Sequence, residues 1–85
     1  MHRFQVGDIL RFNQETRQKF QHTIGEWLQQ EPLIVVRVYS DGVSVSRLDG
    51  LPFTNHWPVH DARFNDDRFE LHPFLDAAAK AVRNG

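Results

Sequence analysis

His56, His60 and the acidic residues that follow them are the side chains whose types could support metal binding or catalysis. Two histidines four positions apart can share a zinc ion when they lie on one helix. In an extended strand the same spacing separates them by roughly 13 Å, which is too far for one ion. A bend at Pro58 would bring them closer, and His72 would be a third ligand, but exposed histidines are the favoured interpretation. We therefore predict no metal site and no cofactor.

Acid–base catalysis would need a histidine held beside an acid in a concave pocket. Acidic residues do lie near His60, namely Asp61, Asp66, Asp67 and Glu70. However, 85 residues offer little room for a cleft, and the chain has no cysteine nucleophile, Gly-rich phosphate loop or Ser–His–Asp spacing. We predict that the protein is not an enzyme and that residues 61–67 form a solvated loop.

Aromatic and arginine side chains are better suited to recognition, because Trp, Tyr and Arg dominate the binding energy at protein interfaces. Eleven Val and Ile residues and ten aromatic residues are generous for so small a core, so we expect some aromatic rings to lie outside it. The candidate anchors for a protein partner are Phe20, Trp27, Arg37, Tyr39 and Phe64. A homodimer would cover such rings equally well.

Nucleic-acid binding is the alternative hypothesis, with Arg37, Tyr39 and Arg47 as a basic and aromatic patch. Ten Lys and Arg against eleven Asp and Glu give a net charge of −1, which argues only against avid non-specific binding. Acidic residues near the patch would repel a phosphate backbone. Protein binding is therefore the leading hypothesis.

The hydrophobic pattern predicts the strands that position these residues. Alternating apolar side chains indicate short strands within residues 4–12, 33–39, 43–46, 53–59 and 68–72. A two-residue turn at Asp41-Gly42 would place Val38, Val43 and Val45 in the core, and the opposite face would carry Arg37, Tyr39, Ser44 and Ser46. The expected core residues of the fourth and fifth strands are Phe53, Trp57, Phe69 and Leu71.

Two segments have helical spacing. In the glutamine-rich stretch 13–30, the apolar residues Phe20, Ile24, Trp27 and Leu28 fit a short helix, although Gly25 fits a turn into a strand equally well. A C-terminal helix over about 73–83 has an apolar stripe of Leu75, Ala78, Ala79 and Val82. Isolated helices of this length are marginal in water, so we expect it to dock on the barrel or on a partner.

These elements predict a mainly β fold with a single domain over residues 1–85: a small five-stranded SH3-like barrel over about 4–72, with a long first loop and the short C-terminal helix. Small SH3-like barrel proteins of bacteriophages and prophages resemble this chain in the run Phe4-Gln5-Val6-Gly7-Asp8, followed by Thr23-x-Gly25, Arg37-Val38, Asp41-Gly42-Val43, Trp57 and Arg68-Phe69-Glu70. The resemblance implies a non-catalytic accessory protein that binds another macromolecule. The long first loop and the helix depart from it.

The cellular location follows from two further observations. The chain has no cysteine, which fits a reducing compartment. The N-terminal residues lack the apolar core of a signal peptide, and no stretch is long enough to span a bilayer. We expect a cytoplasmic protein that does not bind membranes.

Overall fold

The computed structural model describes residues 3–19, 31–53 and 58–84. Within these ranges, five strands form one antiparallel sheet in the order β4-β3-β2-β1-β5. The elements are, in chain order, β1 (Ile9–Phe12), α1 (Gln14–Lys19), β2 (Leu33–Val38), β3 (Gly42–Arg47), β4 (Asp61–Asn65), a 3-10 helix (Asp66–Arg68), β5 (Phe69–Leu71) and α2 (Leu75–Asn84). The prediction of a mainly β fold with five strands and a C-terminal helix is confirmed.

The entry into β1 is a tight turn. The Asp8 backbone N–H donates to the Gln5 carbonyl at 3.0 Å, and Gly7 has a φ of 94°, a conformation that side-chain-bearing residues rarely adopt. Phe4 is buried before the turn, but Val6 is exposed within it. Val6 therefore does not belong to the core, because the turn removes it from the alternation of the strand.

The β2–β3 hairpin differs from the predicted register. The Tyr39 N–H donates to the Gly42 carbonyl at 2.8 Å, so the turn residues are Ser40 and Asp41 rather than Asp41 and Gly42. A register shift at Val36 then adds one residue to β2. The predicted placement of Val43 and Val45 in the core is confirmed, and Val38 packs against that core while partly buried.

Gly42 is the first residue of β3, where it lies directly against the backbone of β4. A Cβ built there would overlap the Phe64 carbonyl oxygen and lie 3.2 Å from the Cα of Asn65. We expect Gly42→Ala to lower the free energy of unfolding by about 1–3 kcal/mol, because a backbone atom cannot move aside as a flexible side chain can. Urea unfolding checks this, with the exposed turn substitution Ser40→Ala as control. Equal stability of the two variants would contradict the close approach.

The fourth strand lies later in the chain than predicted. Residues 61–65 form β4 rather than a solvated loop, and of the predicted strand at 53–59 the described residues have no regular structure. Ala62 is buried and Phe64 half-buried, whereas the polar residues between them are exposed. Phe53 is fully buried, as predicted, and its N–H donates to the Val59 carbonyl at 2.9 Å. Trp57 lies outside the described residues.

One hydrophobic core joins the two ends of the sheet. Phe64 on β4 meets Phe69 on β5 with ring centroids 5.6 Å apart, and Phe12 on β1 stacks on Phe69 at 5.0 Å. Nevertheless, β4 and β5 are the two edge strands and do not pair with each other. The sheet is therefore not closed into a barrel. The predicted closure is not met, because a three-residue 3-10 helix joins these strands where a hairpin would pair them.

Helix α2 docks through its polar side. The carboxylate of Asp76, only 5% exposed, accepts a hydrogen bond from the Ile9 N–H at 3.0 Å. Lys80 contacts both Asp76, at 2.8 Å, and Asp8, at 3.3 Å. In the predicted apolar stripe, Leu75 is 40% exposed and Val82 is 82% exposed. The expected docking of the helix is present, but charged groups rather than this stripe make the contact.

Helix α1 covers the first residues of the glutamine-rich stretch. Asn13 begins it, because its side-chain oxygen accepts a hydrogen bond from the Thr16 N–H at 2.9 Å. The same side chain donates to the Asp67 carbonyl at 2.8 Å, which ties the helix to the segment before β5. The predicted apolar positions of the stretch, Phe20, Ile24, Trp27 and Leu28, lie outside the described residues.

Candidate functional site

A row of polar residues crosses three neighbouring strands on the face of the sheet opposite the core. Arg37 on β2 lies opposite Ser44 on β3, and Ser44 lies opposite Arg63 on β4. The extra residue at Val36 leaves both Val36 and Arg37 exposed, so Arg37 projects into solvent at one end of the row. Arg63 is exposed at the other end.

Tyr39 lies over the middle of this row. The Ser44 hydroxyl donates to the Tyr39 hydroxyl oxygen at 3.5 Å, and Ser44 is buried. On one side of the ring, the Arg63 guanidinium carbon lies 4.0 Å from the ring centroid, a cation–π arrangement. We call Arg37, Tyr39, Ser44 and Arg63 the tyrosine face.

The electrostatics of the tyrosine face favour an anionic or acceptor-rich partner. The hydrogen bond from Ser44 holds the pKa of Tyr39 below its usual value; burial opposes this, and the charges of Arg37 and Arg63 add to it. Arg63 also forms an ion pair with Asp41, to which it donates a hydrogen bond. This hydrogen bond lowers the pKa of Asp41. Both partners of this pair are largely exposed, so it is worth little and leaves Arg63 accessible.

Arg47 does not join the tyrosine face, in contrast to the predicted basic patch. Alternation along β3 gives it the parity of the core residues Val43 and Val45 rather than that of Ser44. Its side chain is 13% exposed and contacts Glu31, Asp49 and the Pro52 carbonyl. Arg47 therefore holds the segment after β3 in place.

Phe64 is not the exposed anchor that the sequence predicts. It is half-buried, and its ring packs within 6.3 Å of Phe53, 5.5 Å of Phe12 and 5.6 Å of Phe69, measured between centroids. The remaining two predicted anchors, Phe20 and Trp27, lie outside the described residues. The structure thus brings together Arg37 and Tyr39 from the predicted set.

Arg63 is the residue of the tyrosine face that sequence reasoning misses. It lies in the segment predicted as a loop, where no facing strand could be assigned to it. The signal was present in the alternation Asp61-Ala62-Arg63-Phe64-Asn65, which has the period of a half-buried strand. Recognition of that strand would have placed Arg63 beside β3.

The described histidines have structural contacts. Nδ1 of His72 accepts hydrogen bonds from the backbone N–H groups of Phe74 and Leu75, at 3.3 and 3.1 Å, at the beginning of α2. Nδ1 of His60 lies 3.2 Å from the Gly50 carbonyl oxygen. Among the described residues, no three His, Asp or Glu side chains are grouped so that they could hold a metal ion. His56 lies outside them.

Comparisons with known proteins give no relative. No family model, curated protein or solved structure shows significant similarity to this chain. In the part of the chain that the structure describes, no helix has the length and apolar character needed to cross a membrane.

Proposed function

We propose that this protein is a non-catalytic module that binds another protein through the tyrosine face. The observation that carries the proposal is the packing of Tyr39 between its neighbours, with Arg63 against one side of its ring and Arg37 exposed nearby. A ring held in this way loses little conformational freedom on binding, and arginine donors can engage carboxylates or backbone carbonyls in pairs. Tyr and Arg are also the residue types that most often dominate protein interfaces.

Nucleic-acid binding is the less favoured reading of the same residues. A base needs an open aromatic face for stacking, whereas Arg63 covers one side of the Tyr39 ring and Ser44 contacts its hydroxyl. Asp41 places a negative charge beside Arg63, which would repel a phosphate backbone. The withdrawal of Arg47 into contacts with Glu31 and Asp49 removes a third basic group from the patch.

We also propose that the fold is SH3-like. The order β4-β3-β2-β1-β5, with a 3-10 helix between the last two strands, supports an SH3-like architecture in which the sheet curls without closing. That architecture recurs in binding modules, and fold alone does not assign a function. A phage or prophage origin and a cytoplasmic location stay predictions from the sequence.

The test is affinity capture of the tagged full chain from a bacterial lysate, with and without nuclease, followed by mass spectrometry. We expect a stoichiometric protein that survives nuclease and is retained about tenfold less by Arg37→Glu, because interface arginines are frequent hot spots. Arg17→Glu, the same charge change on α1, is the matched control and should retain the partner.

Two results would contradict the proposal. Equal retention by both variants would remove the tyrosine face from the interface. Loss of all partners after nuclease, together with binding that weakens steeply as salt is added, would instead favour the nucleic-acid reading, because displacement of counterions makes phosphate contacts strongly salt-dependent.

A further inference from the structure

The strand β4 is an edge of the sheet, and its outer backbone groups are directed away from β3. The Gly42 carbonyl accepts from Tyr39, so the polar backbone groups of Gly42 face β2. Since these directions alternate along a strand, those of Val43 face β4, where Phe64 lies opposite. Within the described residues, β4 pairs with β3 alone. The backbone N–H and C=O groups that point outward therefore belong to Asp61, Arg63 and Asn65.

The same residues carry the exposed side chains of β4. Their charges are arranged so that two antiparallel copies of the strand are complementary. Asp61 is negative, Arg63 is positive, and Ala62 between them is small and buried. When two copies of such a strand pair antiparallel about a two-fold axis at Ala62, Asp61 of each copy lies opposite Arg63 of the other. The outward backbone groups of both residues then meet as a hydrogen-bonded pair.

Other two-fold registers of this edge lack that complementarity. An axis at Asp61 places two aspartates opposite each other, and an axis at Arg63 does the same with two arginines. An axis at Phe64 pairs Arg63 with Asn65, which adds no opposite charge. Like charges directly opposite on neighbouring strands are destabilising, whereas opposite charges are favourable. The charge pattern thus selects the axis at Ala62.

The side chains around this axis are compatible with close approach. Residues on the axis form a non-hydrogen-bonded pair, in which the Cα atoms come within roughly 4.5 Å, and Ala62 is small enough for that distance. Phe64 is half-buried at the same edge, so a second strand would cover it further. Arg63 keeps donors for a second carboxylate beside Asp41, because a guanidinium group has five N–H bonds.

We propose that two copies of this chain associate through β4, in antiparallel pairing centred on Ala62, to form one continuous sheet. The two-fold axis is perpendicular to the sheet, so both tyrosine faces lie on the same side of it. A partner with two matching sites would be bound by both copies at once. This inference goes beyond the proposed function and does not depend on it.

The test measures self-association of the full chain by sedimentation velocity over a wide concentration range. We expect a reversible dimer in the unaltered protein. Asp61→Arg and Arg63→Asp should each weaken the dimer about tenfold or more, because two opposite-charge pairs become two like-charge pairs. Asp67→Arg, which makes the same change outside β4, is the matched control and should leave the dimer intact.

An equimolar mixture of the two variants gives the decisive result. Asp61→Arg carries two positive residues at these positions and Arg63→Asp carries two negative ones, so the mixture should form a heterodimer that neither variant forms with itself. Circular dichroism of each variant shows that it is folded. A monomer in the unaltered protein at every concentration, or a mixture that associates no better than its components, would overturn the proposal.

The proposed dimer and the proposed function can fail separately. Arg37→Glu alters the tyrosine face on β2 and leaves the β4 edge unchanged, so it should reduce capture of the partner about tenfold without affecting the dimer. A heterologous protein that adds a strand to β4 would instead be captured by the unaltered chain and by Arg37→Glu but lost in Asp61→Arg, while the unaltered chain alone stays monomeric. That outcome would replace the second copy with another occupant.

Discussion

Phe12→Ala is expected to lower the free energy of unfolding by about 3–5 kcal/mol, which is the usual cost of removing a buried aromatic ring. Phe12 is 1% exposed and lies on β1, between β2 and β5 in the sheet. Its ring stacks on Phe69 and meets Phe64 edge to face, so it connects the two ends of the sheet. A domain of this size is stable by only about 5–10 kcal/mol, so roughly half of its stability would be lost.

Urea unfolding followed by circular dichroism measures this effect, and Phe74→Ala is the matched control. Phe74 is 76% exposed, so the same chemical change should cost less than about 0.5 kcal/mol. A Phe12→Ala variant as stable as the control would show that the aromatic cluster does not hold the sheet together.

The second large effect is expected from Asp76, because its carboxylate joins α2 to the sheet. Asp76→Ala would leave the Ile9 N–H without its acceptor and Lys80 without one of its two acidic partners. Loss of a buried hydrogen bond to a charged group costs about 1.5–3 kcal/mol. Urea unfolding measures the cost, and Asp67→Ala, an exposed acidic residue, is the control with little expected effect.

The pH dependence of this contact follows from the same groups. Burial tends to raise the pKa of Asp76, but the hydrogen bonds from Lys80 and the Ile9 N–H outweigh it, and the pKa is lowered from its ordinary value of 3.8. The contribution of Asp76 to stability is therefore complete above about pH 3.8. It is lost as the pH falls through the lower pKa that Asp76 has in the folded protein.

Lys80 sets the alkaline limit of the same contact. The pKa of Lys80 is raised above 10.5, chiefly by the hydrogen bond with Asp76. Its contribution to stability is therefore complete below pH 10.5 and is lost as the pH rises further.

The Ile9 amide resonance in NMR spectra should report release of Asp76 in acid. An Ile9 amide that stays unchanged through the acid range in which Asp76 gains its proton would contradict the role of this carboxylate.

The strands with strong hydrophobic alternation could be predicted from the sequence, and the polar edge strand could not. β2 and β3 are rich in Val and Ile, and the core positions of β3 and of β2 before Val36 follow from parity. In β4, two of the three outward residues are charged and one inward residue is the small Ala62, so its apolar signal is weak. Charged side chains are common on edge strands, so a weak apolar signal is typical of a strand in this position.

The candidate site shows a second limit of sequence reasoning, which concerns partners distant in the chain. Arg37 and Tyr39 are neighbours on one segment, so their proximity was predictable. The contact of Arg63 with Tyr39 depends on the pairing of β3 with β4. The hairpin register depends on an extra residue at Val36, which no local sequence pattern indicates. Arg47 was predicted to bind a partner, but it contacts the nearby acidic residues Glu31 and Asp49 instead.

The hydrophobic pattern also failed to predict which side of α2 docks, because it assigns the apolar stripe of the helix to the interior. The apolar residues Leu75 and Val82 are exposed, whereas Asp76 is buried. The signal that could have indicated the docked side is the spacing of Asp76 and Lys80, four residues apart on one side of a helix. Such a pair usually lies in solvent, but here the Ile9 N–H donates to Asp76 and the carboxylate of Asp8 contacts Lys80.

The position of β1 between β2 and β5 determines when the sheet can be completed during synthesis. β2, β3 and β4 follow one another and pair with their neighbours in sequence, so they can assemble as soon as they leave the ribosome. β1 is made first but pairs with β5, where Leu10 lies opposite Leu71. β1 can therefore pair with β2 early, but its other edge stays unpaired until β5 has been synthesised.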